Sequence, residues 1–157
     1  MSARKTTENK ERDWRAIGDS LLARGKYKDA AKAYDKAFDT AIEISPQFAD
    51  AWLNKGNALA KLGKFEDAIA ALDKVLEIKP DSSGAWHNKG VALVGLGKPD
   101  EAIKAYSKAI ELDPRDPDVW HNKSNALRLL SRTREAYEDQ VKAKELKRNI
   151  SKKIVKI

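Results

Sequence analysis

The sequence predicts an all-α chain of antiparallel helix hairpins stacked side by side, closed at its end by a C-terminal capping helix. Three observations carry this. The segment AWLNKGNALAKLGKFEDAIAALDKVLEIKP (51–80) returns 34 residues later as AWHNKGVALVGLGKPDEAIKAYSKAIELDP (85–114). Within each copy, apolar residues recur at three- and four-residue steps, the period of one face of an α-helix. Glycine and proline interrupt successive copies at matching positions, where helices end.

The repeat comes first, because a fixed long period decides the architecture before any local reading. Trp52, Trp86 and Trp120 are spaced by 34 residues, and Trp14 precedes Trp52 by 38. Asn54, Asn88 and Asn122 keep the same beat, as do Lys55, Lys89 and Lys123, Leu59, Leu93 and Leu127, and Ala68, Ala102 and Ala136. Gly56 and Gly90 are preceded by Gly18 and continued by Ser124.

In the best-formed copy Trp52, Gly56, Leu59 and Leu62 mark the face of a first helix. Ala68, Leu72, Val75 and Leu76 mark a second. Gly63-Lys64 between them reads as a helix end and short turn. Pro80 closes the pair, and Asp81-Ser82-Ser83 offers side-chain oxygens to cap the next helix. Gly97-Lys98-Pro99 and Asp113-Pro114 repeat this punctuation. Pro99 and Pro117 fit a first helical turn, where a missing N–H is no loss, with Asp116 as a cap. Glu66-Asp67 and Asp100-Glu101 open second helices, where negative charge suits the helix N-terminus.

A single such hairpin cannot bury its apolar faces. Stacked copies can, and at least three are needed for stability. Gly56, Gly90, Ala68 and Ala102 are then slots where two helices approach too closely for a larger side chain. The tryptophans and Leu59, Leu93 and Leu127 are the bulk expected to fill the seams.

These units divide the chain into a basic N-terminal arm or start of the first helix (1–10), a degenerate repeat 1 (11–48), repeat 2 (49–82), repeat 3 (83–116), a degenerate repeat 4 (117–148) and a basic amphipathic cap or helix extension (149–157). Repeat 1 keeps Trp14, Gly18, Leu21, Ala30 and Tyr34 but has four extra residues before Pro46. Four residues are close to one helical turn, which predicts a longer second helix with Ala41 back in register. Repeat 4 has Ser124, Gln140 in the slot of Tyr106, and Arg148 in the slot of Pro114. No Gly or Pro follows Pro117, so from Thr133 the chain either continues as one long helix or breaks once into a polar capping helix. A capping segment is favoured because open stacks need one.

Composition narrows the function. Of 157 residues, 41% are hydrophobic and 35% charged, the balance of a highly soluble globular chain. No run approaches the roughly 18 apolar residues of a membrane span, and the start, MSARKTTENKERDW, lacks the apolar core of a secretory signal. Cytoplasm is the expected compartment by default. Zero cysteines exclude disulfides and thiolate metal sites. The net charge of +7 is concentrated at the ends. Residues 142–157 carry seven basic side chains against one acid, while the body from 13 to 141 is about −1.

The series Trp52, Gly56, Leu59, Ala68, Leu72, Val75, Pro80, followed by Trp86, Gly90, Leu93, Ala102, Tyr106, Ala109, Pro114, closely resembles the tetratricopeptide repeat family over about residues 11–148. The wording W-x-N-K-G-x-A-L is similar to prokaryotic, especially archaeal, members. The resemblance implies a right-handed superhelical solenoid whose first helices line a concave groove. It also implies a non-enzymatic protein–protein interaction scaffold holding a partner's extended or helical segment there.

The side chains implied to face the groove are Arg15 and Asp19 in repeat 1, Asn54 and Asn57 in repeat 2, His87 and Asn88 in repeat 3, and His121, Asn122, Asn125 and Arg128 in repeat 4. Asn54, Asn88 and Asn122 would form a ladder of amides. Each has donors and an acceptor suited to a peptide backbone; alternatively they bond only a neighbouring helix. Family members that grip chaperone C-terminal carboxylates use lysines and an arginine with asparagines, and here Asp19 or Asp118 would oppose a carboxylate.

Other residues read as structural. His87 and His121 occupy equivalent slots, but no third ligand accompanies them and zinc needs three or four, so no metal or other cofactor is expected. Lys55, Lys89 and Lys123 are expected to lay their stems over the tryptophan rings and raise the ammonium into water. The near-glycine-rich VALVGLGK (91–98) lacks the phosphate-loop pattern, and no Ser-His pair is suggested by spacing, so catalysis is not expected.

The tail VKAKELKRNISKKIVKI spaces Leu146, Ile150, Ile154 and Ile157 as an amphipathic basic helix. Packing on the last repeat, homo-oligomer formation, or contact with an anionic surface compete for it. The alternative function is therefore an adaptor to nucleic acid or an anionic membrane through this tail, or a self-associating module.

Overall fold

The computed structural model describes the backbone of residues 2–40 and 48–154 and the side chains of residues 13–38 and 48–152. Inside the first three hairpins and between the later ones, helices end at the glycine turns and prolines that the sequence supplies. The described residues form α1 (Ser2–Ala23), α2 (Tyr27–Thr40), α3 (Ala49–Lys61), α4 (Phe65–Ile78), α5 (Ser83–Gly95), α6 (Pro99–Leu112), α7 (Pro117–Leu129) and α8 (Thr133–Ile154), with no strand among them. The fold is all-α. The four extra residues of repeat 1, with Ala41 and Pro46, lie outside the described residues, as do Ile157 and the side chain of Ile154.

Two units make up the chain, Met1–Pro80 and Asp81–Ile157. In the first, α1 pairs with α2 and α3 with α4, and α2 packs on α3. In the second, α5 pairs with α6 and α7 with α8, and α6 packs on α7. Each unit is thus two hairpins joined by the second helix of one against the first helix of the next. Residues 2–10 belong to α1 rather than to a separate arm. Of the two courses open after Thr133, the chain takes the unbroken helix. With neither Gly nor Pro to stop it, α8 runs to Ile154, and the capping role passes to α8 itself instead of a separate segment.

The caps follow the sequence. Ser82 accepts a hydrogen bond from the Ala85 N–H at 3.3 Å, and Asp116 from the Asp118 N–H at 2.9 Å. Pro99 and Pro117 stand in first turns. The turn inside each hairpin needs left-handed backbone, with φ of +70° at Gly25, +74° at Gly63 and +72° at Gly97. In the fourth hairpin Ser131 occupies that slot with φ of 58°, a conformation that costs a non-glycine residue about 1–2 kcal/mol. Ser131→Gly is expected to raise the unfolding free energy by about 0.5–1 kcal/mol in urea melts, with the helix content unchanged.

The alanine slots are seams. Ala30, Ala68 and Ala102 are fully buried and Ala136 nearly so. Leu59, Leu93 and Leu127 are buried beside them. A Cβ at Gly18 would lie 2.6 Å from the Tyr34 ring, one at Gly90 2.5 Å from the Tyr106 ring, and one at Gly56 2.9 Å from Leu72 Cγ. The tryptophans, by contrast, are half-buried. The deepest bulk is Tyr34, Leu72 and Tyr106, on the second helices, so it is these side chains that fill the seams. Ion pairs fasten hairpin ends in equivalent places, Lys79 to Asp50 at 3.4 Å and Lys147 to Asp118 at 3.0 Å. Of the tail stripe, Leu146 is half-buried while Ile150 is 46% exposed.

Candidate functional site

Helical spacing brings the candidate side chains together on first helices. In the first unit Arg15 and Asp19 are one turn apart on α1, and Asn54 and Asn57 one turn apart on α3. Asp19 Oδ1 accepts two hydrogen bonds, from the Tyr34 hydroxyl at 2.7 Å and from Asn54 Nδ2 at 2.9 Å. One carboxylate therefore knots α1, α2 and α3. Burial, and then the Asp19 bond, push the Tyr34 phenol well above its ordinary range, with Asn54 and then Arg15 pulling the other way. The hydroxyl stays protonated and remains a donor.

In the second unit the asparagines meet histidines. Asn122 lies 2.8 Å from His87 Nε2, linking α7 to α5, and Asn125 lies 3.1 Å from His121 Nε2 within α7. The His87 ring is also tilted against Tyr106, with centroids 6.0 Å apart. Burial lowers the His87 pKa from its ordinary 6.5, opposed by the charges of Asp116 and Asp118. A neutral ring accepts the Asn122 amide hydrogen at Nε2.

That neutral ring gives a pH prediction. A base whose folded pKa lies below its unfolded value gives stability present above the unfolded value and lost as pH falls. The parent chain should lose stability as pH falls from 7 through 6.5 toward the folded value, and His87→Gln should flatten that slope. Urea melts across this range, with the His87 ring titrated by NMR to a midpoint below 6.5, check it.

Three candidates have no side-chain partner among the described residues. Asn57, Asn88 and Arg128 make no side-chain hydrogen bond to the described residues; Asn57 and Asn88 are half-buried and Arg128 is exposed. Asn54 and Asn122 are engaged inside their units, whereas Asn88 is not, so the three do not form a uniform ladder of open amides. Sequence reasoning missed Tyr34, placed in the core but reaching Asp19 with its hydroxyl. The signal was the tyrosine itself, since a buried tyrosine's polar tip needs a partner.

The lysine row lies over the tryptophan rings as expected, but the ammonium groups of Lys55 and Lys123 are taken up by carboxylates instead of rising into water. Lys55, Lys89 and Lys123 hold their ammonium groups 5.0, 5.5 and 5.7 Å from the ring centroids of Trp52, Trp86 and Trp120. Lys55 also pairs with Asp35 of α2, and Lys123 with Asp139 of α8 at 3.3 Å. Among the described residues no group of three or more His, Asp or Glu side chains is placed to hold a metal, and no helix is long and apolar enough to cross a membrane.

With this geometry in place, comparison with known proteins is informative. Three tetratricopeptide repeat profiles match residues 15–83, 83–116 and 105–138. The uncharacterized protein MJ0572 of Methanocaldococcus jannaschii is 46% identical over 44 residues, 28% of this chain and 50% of that protein. The chain thus matches the curated relative over about half of that protein's length. Among solved structures, residues 41 to the end of MamA from Desulfovibrio magneticus RS-1 are similar with a TM-score of 0.81 and 25% identity, covering 90% of this chain and 77% of that one. YrrB, described as a TPR protein with an unusual peptide-binding site, is similar in fold with a TM-score of 0.75 and 23% identity, covering 85% of this chain and 66% of that one.

Proposed function

The chain belongs to the tetratricopeptide repeat family, and we propose that it is a non-enzymatic interaction scaffold holding a partner's peptide segment on its first helices. The observation that carries this reading is a half-buried asparagine on a first helix of each unit taken by itself, Asn57 on α3 in the first and Asn88 on α5 in the second, whose amide has no partner among the described residues. Each offers two donors and an acceptor to a backbone C=O and N–H, whatever side chains the segment carries. Within the first unit Asp19–Asn54, and within the second His87–Asn122, are held by in-chain bonds, which fixes first-helix surface in each unit before a ligand arrives and lowers the ordering cost of binding. A peptide-binding site on a protein of the same fold is consistent with this use.

The test is selection of peptides from a random display library on the immobilised full chain, followed by affinity measurement on variants. Asn57→Ala or Asn88→Ala is expected to weaken selected peptides about tenfold, the loss of one to two good hydrogen bonds. Peptides that bind both variants as tightly as the parent would overturn the assignment.

A further inference from the structure

The first unit carries a second surface with its own chemistry. α3 packs against both α2 and α4, and the three helices enclose a cleft of about 720 Å³, within the range of ligand sites. Its floor is apolar, with Trp52 and Leu59 from α3, Leu62 just after it and Ala71 from α4. Its rim is basic, with Lys28 and Lys32 on α2, Lys64 just before α4 and Lys74 along it.

Two carboxylates also line the cleft. Asp35 is paired with Lys55, and Asp67 sits in the first turn of α4. Lys74 is paired with Glu77 at 2.8 Å. Lys28, Lys32 and Lys64 are exposed and have no counter-ion among the described residues. Five lysines against two acids leave the lining positive.

This cleft is not the surface proposed above. At about 100° per residue, Trp52 and Leu59 project from the side of α3 opposite Asn54 and Asn57. One face of the Trp52 ring is already stacked on Phe38, with centroids 3.8 Å apart, which removes a platform for a nucleobase. The chain's own tail is a poor occupant, because residues 142–157 carry +6 and would meet like charge.

We propose that the cleft is a second docking site, for an acidic amphipathic peptide segment of a partner protein. One or two apolar side chains of the segment rest on Trp52, Leu59 and Leu62, and its carboxylates reach Lys28, Lys32 and Lys64. An apolar anchor with charged flanks is how a segment lies in a groove between helices. The lysines add encounter rate and selectivity against basic segments.

The experiment uses the full chain and a panel of labelled twelve-residue peptides with leucine or phenylalanine anchors among Asp and Glu, each with an Asn/Gln counterpart, read by fluorescence anisotropy. The expected result is saturable binding of acidic members that weakens at least tenfold in Lys32→Glu/Lys64→Glu and in Leu62→Asp, and at least tenfold for the neutral counterparts. Asn57→Ala should leave it unchanged, which separates this site from the first-helix proposal. Leu62 is 39% exposed, and circular dichroism confirms that each variant keeps its helices. The proposal is overturned if no acidic member binds, if neutral counterparts bind equally, or if both lysine reversal and Leu62→Asp leave binding intact. Rim-dependent binding only to phosphatidylglycerol vesicles or duplex DNA overturns it as well.

Discussion

Tyr106→Ala is expected to lower the unfolding free energy by about 3–5 kcal/mol in urea melts. The side chain is 2% exposed, and its ring lies where a Cβ on Gly90 would approach to 2.5 Å. Truncation removes the transfer energy of the ring and leaves a cavity that the Gly90 backbone cannot fill. The reciprocal change sharpens the test. Gly90→Ala gains about 1 kcal/mol of helix propensity but forces a rigid ring to move, an overpacking cost of about 1–3 kcal/mol. In the Tyr106→Ala background the obstruction is gone, and Gly90→Ala should become stabilising. The two substitutions must therefore couple, which a double-mutant cycle reads directly. At Gly56 the nearest atom is Leu72 Cγ at 2.9 Å, and a leucine can turn aside. Gly56→Ala should cost less than Gly90→Ala, and equal costs would count against the seam as the cause.

The seam shows what a single sequence can reveal. A glycine opposite a tyrosine, repeated at Gly18/Tyr34 and Gly90/Tyr106, announces close helix approach through spacing alone, and the coordinates place those atoms in contact. Helix ends were legible for the same reason. Gly25, Gly63 and Gly97 have a backbone role that no other residue fills without strain, and the fourth copy exposes the rule by breaking it at Ser131.

Depth and partner were not legible. Periodicity gives the face a tryptophan is on and not how far it sinks, so half-buried rings looked like core. Nor does a shared slot imply a shared partner. Asn54 and Asn122 hold equivalent positions, yet one donates to Asp19 and the other meets His87, because the preceding first helix differs in each case. The cleft over Trp52 needs three helices at once and has no signature along the chain.

Lys123 shows how a slot changes its meaning when its neighbour mutates. The equivalent Lys55 pairs with Asp35 on the preceding second helix, but the corresponding position before Lys123 is Ser107. Lys123 turns instead to Asp139 in its own hairpin, at 3.3 Å. Asp139 occupies the slot held elsewhere by Ala33, Ala71 and Ala105, and it is 7% exposed. Its Oδ2 accepts no well-aligned hydrogen bond, and neither does the buried Oε1 of the adjacent Gln140. Burial raises the Asp139 pKa, with Lys123 pulling it back and Glu135 and Glu138 pushing it up.

Removing the lysine alone strands a carboxylate. Lys123→Ala is expected to cost about 2–3 kcal/mol, at the low end for a broken buried pair because the lysine side chain is 20% exposed. Removing both charges has the opposite sign. Lys123→Met/Asp139→Ala restores the alanine of the other copies and should be at least as stable as the parent, since a buried pair rarely outperforms apolar packing.

The pH dependence follows. A carboxyl whose folded pKa is raised favours the fold below its unfolded value of 3.8, and that contribution is lost as pH climbs through the folded value. The advantage of the double variant over the parent should therefore be larger at pH 7 than at pH 4. Urea melts of parent, single and double variants at both values decide it. A double variant weaker than the parent at pH 7 would mean that the pair is a net source of stability and that the aspartate in an alanine slot is no defect.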